Sequence, residues 1–282
     1  MLTVLAPGPL ATVQDLGRVG WAAIGVTRSG AADRDSAALA NRLVGNDPAA
    51  AVVETTAGGL RIRAETGVLV AVTGAPAAVD VNGRPMPMNG PVRVPPGGVL
   101  TLGTPATGLR TYVAVRGGID VVPVLGSRST DTLSGLGPPP LAAGDRLPVG
   151  PARGDEPFVD VAPVAGPRSA PVLRVLPGPR RELLVPEAWS ALVGGRWTVS
   201  SDSDRVGVRL SGPALLRADD AELPSEGLVA GAIQVPPDGA PVLFLADHPV
   251  TGGYPVLAVV VTADLPAAAQ LRPGDEVRFR SG

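Results

Sequence analysis

The sequence lacks two residue types that carry much of protein chemistry. None of its 282 residues is a cysteine, and all 24 residues counted as Lys+Arg are arginines. Without cysteine the chain has no thiol nucleophile, no disulfide and no thiolate ligand for a metal. Without lysine it has no P-loop lysine, no amine for Schiff-base chemistry and no side chain to which biotin is attached. The single histidine, His248, excludes a multi-histidine metal centre, and we expect no metal site.

Aromatic residues, excess charge and long apolar runs are also scarce. Trp, Tyr and Phe number 3, 2 and 3, and the formal net charge is −2. Faces that bind nucleic acids are usually basic and often stack bases on aromatic rings, so we expect no nucleic-acid partner. No apolar run approaches the roughly 20 residues of a membrane helix, and the first ten residues lack the basic region of a signal peptide. We therefore expect a cytoplasmic protein that does not bind membranes.

The abundant residues are glycine (37), proline (32) and the apolar types (45% of the chain). Disordered chains are usually poor in apolar residues and highly charged, so this composition indicates a folded protein with many turns. Short segments rich in β-branched residues, separated by Gly, Pro, Asn or Asp, predict a mainly β fold. Asn82-Gly83 predicts a tight hairpin, because both residues tolerate positive φ. The predicted strands are residues 69–72, 99–102, 111–115, 172–176, 242–245 and 256–261.

One helix is predicted with a defined start and end. Residues 36–44 are good helix formers, and Asp33 and Asp35 supply capping oxygens near the first turn. Gly45 provides the left-handed residue that ends many helices. Two weaker short helices are predicted over residues 186–192 and 265–271.

The two halves of the chain share a weak internal repeat. Residues 2–5 and 173–176 are similar and both precede Pro-Gly-Pro, and residues 143–147 resemble residues 273–277. Because the order of the matching segments is kept, we predict two related β units. The predicted boundaries are 1–150 for the first unit, 171–282 for the second, and 151–170 for a linker or crossover rich in Pro, Gly and Ala.

The densest motif is a polar, glycine-rich segment near the N-terminus. It comprises residues 12–20 (TVQDLGRVG), residues 25–30 (GVTRSG) and Asp33. Two interpretations are open. A loop of this composition can surround a small polar ligand with backbone N–H groups and side chains. Alternatively, it consists of turns that close a barrel, with Asp15 and Arg18 as a surface ion pair of little energetic value.

Similar stretches recur downstream, and together they carry a resemblance over nearly the whole chain. The sequence resembles the allophanate hydrolase subunit 2 family, also called the KipA-like or biotin-dependent carboxyltransferase-like family. The resemblance implies two cyclophilin-like β-barrel units in one chain, with a few short helices. Its most specific elements are residues 12–20, Ser29-Gly30 with Asp33, residues 40–46, Glu54, residues 112–120, residues 126–130, Asp204-Arg205 with Gly207, residues 231–236 and residues 251–255.

The resemblance also implies an activity that is shared between chains. It implies the C subunit of an ATP-dependent bacterial 5-oxoprolinase, which helps activate 5-oxoproline for hydrolysis to L-glutamate and is inactive alone. The implied partners are a KipI-like B subunit, together with a LamB/YcsF-like A subunit, and ATP is used by the complex. Two alternatives are open: an allophanate hydrolase or urea-carboxylase-related subunit that acts on another small amide, with biotin on a separate carrier, or a non-catalytic KipA-like regulatory protein.

Because two polar sets match the family's motifs, we hypothesise that they line one substrate pocket. Asp15 and Asp33 are the predicted catalytic residues, which would orient an N–H group or a water molecule. The predicted substrate-binding residues are Gln14, Arg18, Ser29, Gln234, Thr251, Gly252, Gly253 and Tyr254. Among these, the glutamines would bond an amide and the arginine would bind an anionic group. The residues expected to support the site or the fold are Asn41, Asn46, Glu54 and Arg205. A lone histidine is more often structural than a general base, so His248 is left out.

Overall fold

The computed structural model describes residues 1–166, 170–218 and 223–282, which form two compact units. Unit 1 comprises Met1–Arg18, Ser29–Asp131 and the described part of Gly135–Pro167. Unit 2 comprises Val19–Arg28, Thr132–Ser134 and the described part of Arg168–Gly282. Residues 151–166, expected as part of a linker, belong to unit 1, and two short segments from the first half of the chain belong to unit 2.

Unit 1 consists of two antiparallel sheets and one helix. The order of strands is β11-β1-β4-β9-β6-β7 in the six-stranded sheet and β2-β3-β10-β5-β8 in the five-stranded sheet. The strands are β1 (Leu2–Ala6), β2 (Leu10–Gln14), β3 (Val52–Thr56), β4 (Arg61–Ala64), β5 (Val68–Gly74), β6 (Val79–Val81), β7 (Arg84–Met86), β8 (Pro91–Val94), β9 (Val99–Leu102), β10 (Arg110–Val115) and β11 (Arg146–Leu147). The helix is α1 (Arg34–Leu43).

Strand β10 is the middle strand of the five-stranded sheet and is buried along its whole length. Val113 and Val115 point into the main apolar core, which both sheets share. Tyr112 and Ala114 alternate with them and join a second apolar cluster beneath α1. Since side chains alternate across a strand, a sheet covered on both faces needs apolar residues at every position. This explains the unbroken run at residues 111–115 that the sequence predicted as a strand.

Helix α1 forms where the sequence predicted it, beginning two residues earlier and ending one residue earlier than residues 36–44. The Asp33 side chain is the N-cap: its Oδ1 accepts a hydrogen bond from the Ser36 backbone N–H at 3.0 Å, and its Oδ2 accepts one from the Ser36 hydroxyl at 2.7 Å. Gly45 follows the last turn with φ +72°, which glycine adopts without steric cost. The cap fixes Asp33 at the start of the helix.

The predicted hairpin at Asn82-Gly83 is also confirmed. Val81 pairs with Arg84 across the turn, and the two turn residues have φ of +53° and +78°. Two consecutive positive φ angles match the right-handed twist of the flanking strands.

Unit 2 is a closed seven-stranded barrel with the strand order β12-β19-β16-β17-β14-β13-β20. Its strands are β12 (Val172–Pro177), β13 (Trp197–Val199), β14 (Gly207–Ser211), β16 (Ala232–Gln234), β17 (Val242–Phe244), β19 (Val256–Val260) and β20 (Glu276–Ser281). A separate antiparallel pair joins β15 (Glu226–Gly227) to β18 (Thr251–Gly252). The helices are α2 (Glu187–Gly194) and α3 (Leu265–Ala268), with 3₁₀ turns at Ala22–Ile24, Arg181–Leu183 and Thr262–Asp264.

The predicted mainly β fold with two units is therefore confirmed, and each weaker helix lies within two residues of its predicted start. All six predicted strands are present. In unit 2 hydrogen bonds close the barrel, whereas in unit 1 the strands divide into two sheets. No helix of the described residues is long and apolar enough to cross a membrane.

The internal repeat holds in the turns but not in the strand pairing. Asp145 Oδ2 accepts a hydrogen bond from the Ala142 N–H at 2.7 Å, and Asp275 Oδ2 accepts the equivalent bond from Arg272 at 2.9 Å. The strand after the first turn, β11, pairs antiparallel with β1. The strand after the second, β20, pairs parallel with β12 and antiparallel with β13. A short sequence repeat specifies a turn, because a turn depends on local residues, while strand pairing depends on distant ones.

Candidate functional site

The polar motif of residues 12–20 is organised by the carboxylate of Asp15, at the end of β2. Its Oδ1 accepts hydrogen bonds from the Ser127 and Ser129 hydroxyls, both at 2.6 Å, and from the Gly17 N–H at 2.8 Å. Its Oδ2 accepts a bond from the Arg128 N–H at 2.6 Å. A carboxylate offers about four lone-pair sites, so these bonds use its accepting capacity. Asp15 thus ties residues 15–17 to residues 127–129.

Arg18 is a buried cation. Its side chain is 1% exposed, and its Nη2 donates a hydrogen bond to the Ser129 carbonyl oxygen. Within the described residues, its Nε and Nη1 have no hydrogen-bond partner, and no carboxylate lies within ion-pair distance. The interpretation of Asp15 and Arg18 as a surface ion pair is therefore wrong, because Arg18 is not at the surface.

A glycine lets the backbone approach this guanidinium closely. Gly137 has φ +87°, and a methyl group added at its Cα would lie 2.5 Å from Arg18 Nη2 and would overlap the Ser129 carbonyl oxygen. Any side chain at this position would displace the arginine from its carbonyl partner.

Gln14 and Ser29 meet at the next carbonyl along the chain. Gln14 Nε2 donates to the Thr130 carbonyl oxygen at 2.9 Å and to Thr12 Oγ1 at 3.0 Å, and Ser29 Oγ donates to the same carbonyl at 3.1 Å. Gln14 is fully buried, and its Oε1 has no hydrogen-bond partner among the described residues; neither has Thr130 Oγ1. Buried polar atoms without partners are uncommon in folded proteins, and each needs an explanation.

Asp33 belongs to a neighbouring buried network around Tyr112. The Asp33 N–H donates to the Tyr112 hydroxyl at 2.8 Å, and that hydroxyl donates to Glu54 Oε2 at 2.9 Å. Glu54 also accepts from the Ala32 N–H at 2.9 Å, and its Oε1 lies 3.6 Å from Arg110 Nε. Burial, and then the negative charge of Glu54, hold the pKa of Tyr112 well above its usual value. The network fixes the start of α1 against strands β3 and β10.

Asn41 and Asn46 hold the other end of α1. Asn46 Nδ2 donates to Asn41 Oδ1 at 3.0 Å and to the Val115 carbonyl at 2.7 Å, while its Oδ1 accepts from the Gly117 N–H at 2.8 Å. Asn41 Nδ2 donates to the Ala50 carbonyl at 2.7 Å. These amides link the helix end to the loop after β10, and both hydrogens of the Asn46 amide are used.

The second predicted set lies in unit 2. Gln234 Nε2 donates to the Tyr254 carbonyl at 2.9 Å, and a methyl group at Gly252 would lie 2.8 Å from the same nitrogen. Thr251 is exposed and Gly253 is half-buried. The structure brings Gln234, Gly252 and Tyr254 together within unit 2. The first set lies in unit 1, so one pocket lined by both sets stays a prediction.

A buried ion pair in unit 2 was not found by sequence reasoning. Arg205 Nε and Nη2 donate to Asp247 Oδ2 and Oδ1 at 2.9 and 3.0 Å, with side chains 2% and 0% exposed. The Thr132 N–H and hydroxyl donate to the same carboxylate at 3.0 and 2.7 Å. Asp204 is the adjacent acid in the sequence, and no local pattern indicates a partner 42 residues away. The next residue, His248, has Nδ1 2.7 Å from the Pro249 carbonyl.

Together the fold and the polar loops define a mainly β protein with two units and a buried cation beside a serine-rich loop. The carboxyltransferase domain model, which covers subdomains A and B, matches residues 24–281, and the chain belongs to this family.

Three comparisons describe its relatives. The chain is 39% identical to the C subunit of the Escherichia coli 5-oxoprolinase, over 99% of this chain and 90% of that protein. It is 36% identical to the urea amidolyase of Lachancea kluyveri, over 98% of this chain but 16% of that protein. The solved structure of the K. lactis urea amidolyase matches with a TM-score of 0.93 and 33% identity, covering 99% of this chain and 18% of that one.

Proposed function

We propose that this chain is the C subunit of an ATP-dependent bacterial 5-oxoprolinase. One observation carries the proposal: the likeness to the C subunit of the E. coli enzyme extends over 90% of that protein, so almost all of it has a counterpart here. In the Lachancea urea amidolyase the counterpart is 16% of the protein, and the remainder has no equivalent in this chain. The chain works in the cytoplasm with a KipI-like B subunit, together with a LamB/YcsF-like A subunit, and alone it is inactive.

The chemistry explains why ATP is consumed. The lactam of 5-oxoproline is an unstrained amide whose carbonyl carbon is a poor electrophile. Transfer of the γ-phosphoryl group of ATP to the amide oxygen releases ADP and makes that carbon easier for water to attack. The ring C–N bond then breaks, phosphate leaves, and L-glutamate is formed. The negative charge that develops on oxygen needs donors held in place beforehand. ATP is used by the complex, and this chain, having no lysine, carries no biotin.

Unit 1 offers groups suited to this substrate. The amide oxygen of the Gln14 side chain is a buried acceptor without a partner among the described residues, which suits the N–H of a lactam. Asp15 holds the surrounding loops in register through its four hydrogen bonds, which gives the preorganisation that catalysis requires. In this proposal Asp15 acts through the loops that it holds. Asp33 takes the role predicted for both residues, which is to orient the lactam N–H or a water molecule.

The test is reconstitution of the three subunits. ATP-dependent formation of glutamate from 5-oxoproline is measured with all three present and with each one omitted. We expect activity only when this chain is present. Unchanged activity without this chain would refute the proposal.

A second candidate is favoured by the likeness to urea amidolyase. In that case the same preparations process another small amide, such as allophanate, and leave 5-oxoproline intact. The regulatory alternative gives a third result, in which the chain binds the KipI-like partner and no substrate turns over.

A further inference from the structure

We propose that Arg18 is the oxoanion-binding residue of unit 1 and that it selects substrates carrying a carboxylate. This inference rests on the proposed function and names the part of the substrate that the chain recognises. The shared chemistry is an oxygen-bearing anion, which the 5-oxoproline carboxylate or a phosphoryl group of ATP can supply.

The first observation is an uncompensated buried charge. Arginine keeps its charge in proteins, so burial cannot be relieved by loss of a proton. Arg18 is 1% exposed, and no carboxylate of the described residues pairs with it. The two other buried arginines in the described part of the chain behave differently: Arg110 lies beside Glu54, and Arg205 is paired with Asp247 at both oxygens. An isolated buried ion costs several kcal/mol, and a bound anion removes that cost.

The second observation is that the Arg18 guanidinium has donors without hydrogen-bond partners among the described residues. Arg18 Nη2 is held by the Ser129 carbonyl, which fixes the plane of the guanidinium. Nε and both hydrogens of Nη1 then have no acceptor among the described residues. Each of these free N–H groups can donate to an oxygen of a carboxylate or phosphate.

The third observation is that the surroundings hold the arginine in place. The Ser129 hydroxyl donates to Asp15 Oδ1 and accepts from the Asp15 N–H, and the Ser129 carbonyl in turn holds Arg18. Gly137 leaves the space that the guanidinium occupies. A rigidly held donor loses little entropy on binding.

Two lactams should differ in their binding to Arg18. L-5-oxoproline carries a carboxylate next to its ring, whereas 2-pyrrolidinone has the same ring without it. We expect 5-oxoproline to bind and 2-pyrrolidinone to bind weakly, because only the first can pair with Arg18. The Gln14 acceptor is available to both and does not discriminate between them.

The experiment measures thermal unfolding of the full chain with four probes: L-5-oxoproline, 2-pyrrolidinone, acetate and inorganic phosphate. A ligand that binds the folded state raises the Tm by mass action. We expect 5-oxoproline to raise the Tm of the wild type and 2-pyrrolidinone to leave it unchanged. A rise with phosphate that exceeds the rise with 5-oxoproline keeps Arg18 as an oxoanion-binding residue, assigns it to the phosphoryl group and refutes selection by the substrate carboxylate.

Two variants test the residue itself. Arg18→Met removes the charge, and we expect binding of 5-oxoproline to weaken at least roughly tenfold, since hydrogen bonds to charged groups are strong. Because the wild-type charge is uncompensated, the variant without ligand should keep its Tm, whereas loss of a structural arginine would lower it. Arg18→Lys keeps the charge and loses the planar donors, and we expect intermediate binding. Arg63→Gln, at a half-exposed arginine, is the control and should bind like the wild type.

The outcomes distinguish this inference from the proposed function. An active complex whose KM for 5-oxoproline is unchanged by Arg18→Met and Arg18→Lys overturns the inference and leaves the function intact. Oxoanion binding that depends on Arg18, in a complex that never forms glutamate, refutes the function and keeps the inference. Equal stabilisation of wild type and Arg18→Met by every probe overturns the inference as well.

Discussion

At the scale of single residues, unit 1 depends on a few buried or half-buried groups that each hold several partners. The Asp15 carboxylate accepts four hydrogen bonds, and the Tyr112 hydroxyl joins Glu54 to the backbone of Asp33. Replacing such a group leaves donors or acceptors buried without partners, which costs more than the lost contact alone.

Replacement of Asp15 by asparagine exchanges one acceptor oxygen for an NH₂ donor that faces other donors. We expect Asp15→Asn to lower the free energy of unfolding by about 2–3 kcal/mol, measured in urea. Asp80→Asn is the control, because Asp80 accepts one bond, from the exposed Gly83 N–H. Its cost should stay below about 1 kcal/mol. Equal losses in the two variants would contradict the role assigned to Asp15.

Removal of the Tyr112 hydroxyl leaves the Asp33 N–H without its acceptor. We expect Tyr112→Phe to cost about 1–3 kcal/mol in the same measurement. Tyr254→Phe changes a half-exposed ring and should have little effect, since its side chain is 45% exposed. A harmless Tyr112→Phe would mean that the hydroxyl does not connect Glu54 to the helix start.

The same hydroxyl makes stability depend on alkaline pH. Burial, then the charge of Glu54, hold the pKa of Tyr112 well above the ordinary value of 10.0. With a folded pKa above the unfolded pKa, its contribution is complete below about pH 10 and is lost as the pH rises further. We expect the wild type to lose unfolding free energy above pH 10 more steeply than Tyr112→Phe. If the unfolding free energies of the wild type and Tyr112→Phe fall in parallel above pH 10, Tyr112 does not cause the loss of stability.

At the scale of elements, helix α1 links the fold to the predicted catalytic residue Asp33. The side chain of Asp33 caps the helix, so a change here mixes stability with any chemical role. Serine keeps a capping oxygen but lacks the carboxylate, which allows the two roles to be separated.

We expect Asp33→Ala to cost about 1 kcal/mol of unfolding free energy and Asp33→Ser to cost less than half as much, in urea titrations of the full chain. Glutamate formation by the reconstituted complex is then measured with both variants. Loss of turnover in Asp33→Ser supports a chemical role for the carboxylate. Retained turnover in that variant refutes the predicted catalytic role, and helix capping is then the remaining role of Asp33.

At the scale of the whole molecule, unit 2 has a convenient optical probe. Trp21, Trp189 and Trp197 all belong to unit 2, so tryptophan fluorescence reports on this unit. We expect Arg205→Met to lower the unfolding free energy seen by fluorescence by about 3–5 kcal/mol, because it leaves Asp247 charged and buried. The double variant Arg205→Met with Asp247→Leu should recover much of that loss. A double variant as unstable as the single one would show that packing, and not the unpaired charge, is responsible.

What the sequence could predict follows the range of each interaction. Helix α1 with its cap, the turn at Asn82-Gly83 and six of the strands depend mainly on neighbouring residues, and these were predicted. The pairing of Arg205 with Asp247, the burial of Arg18 and the parallel pairing of β20 with β12 depend on residues far apart in the chain. For the site, the sequence selected Gln14, Asp15 and Arg18 but could not show which of them is satisfied by its own fold.

The membership of Val19–Arg28 and Thr132–Ser134 in unit 2 has a consequence for synthesis on the ribosome. The first of these segments emerges early, between two parts of unit 1, yet the barrel that it joins is made from the last part of the chain. While unit 1 assembles, this segment has no completed barrel to join. For the same reason, dividing the chain near residue 150 would leave these two segments of unit 2 on the N-terminal fragment. The C-terminal fragment would contain the barrel strands without them. We expect neither fragment to refold by itself, and we expect the pair to regain the native spectrum only when both are mixed.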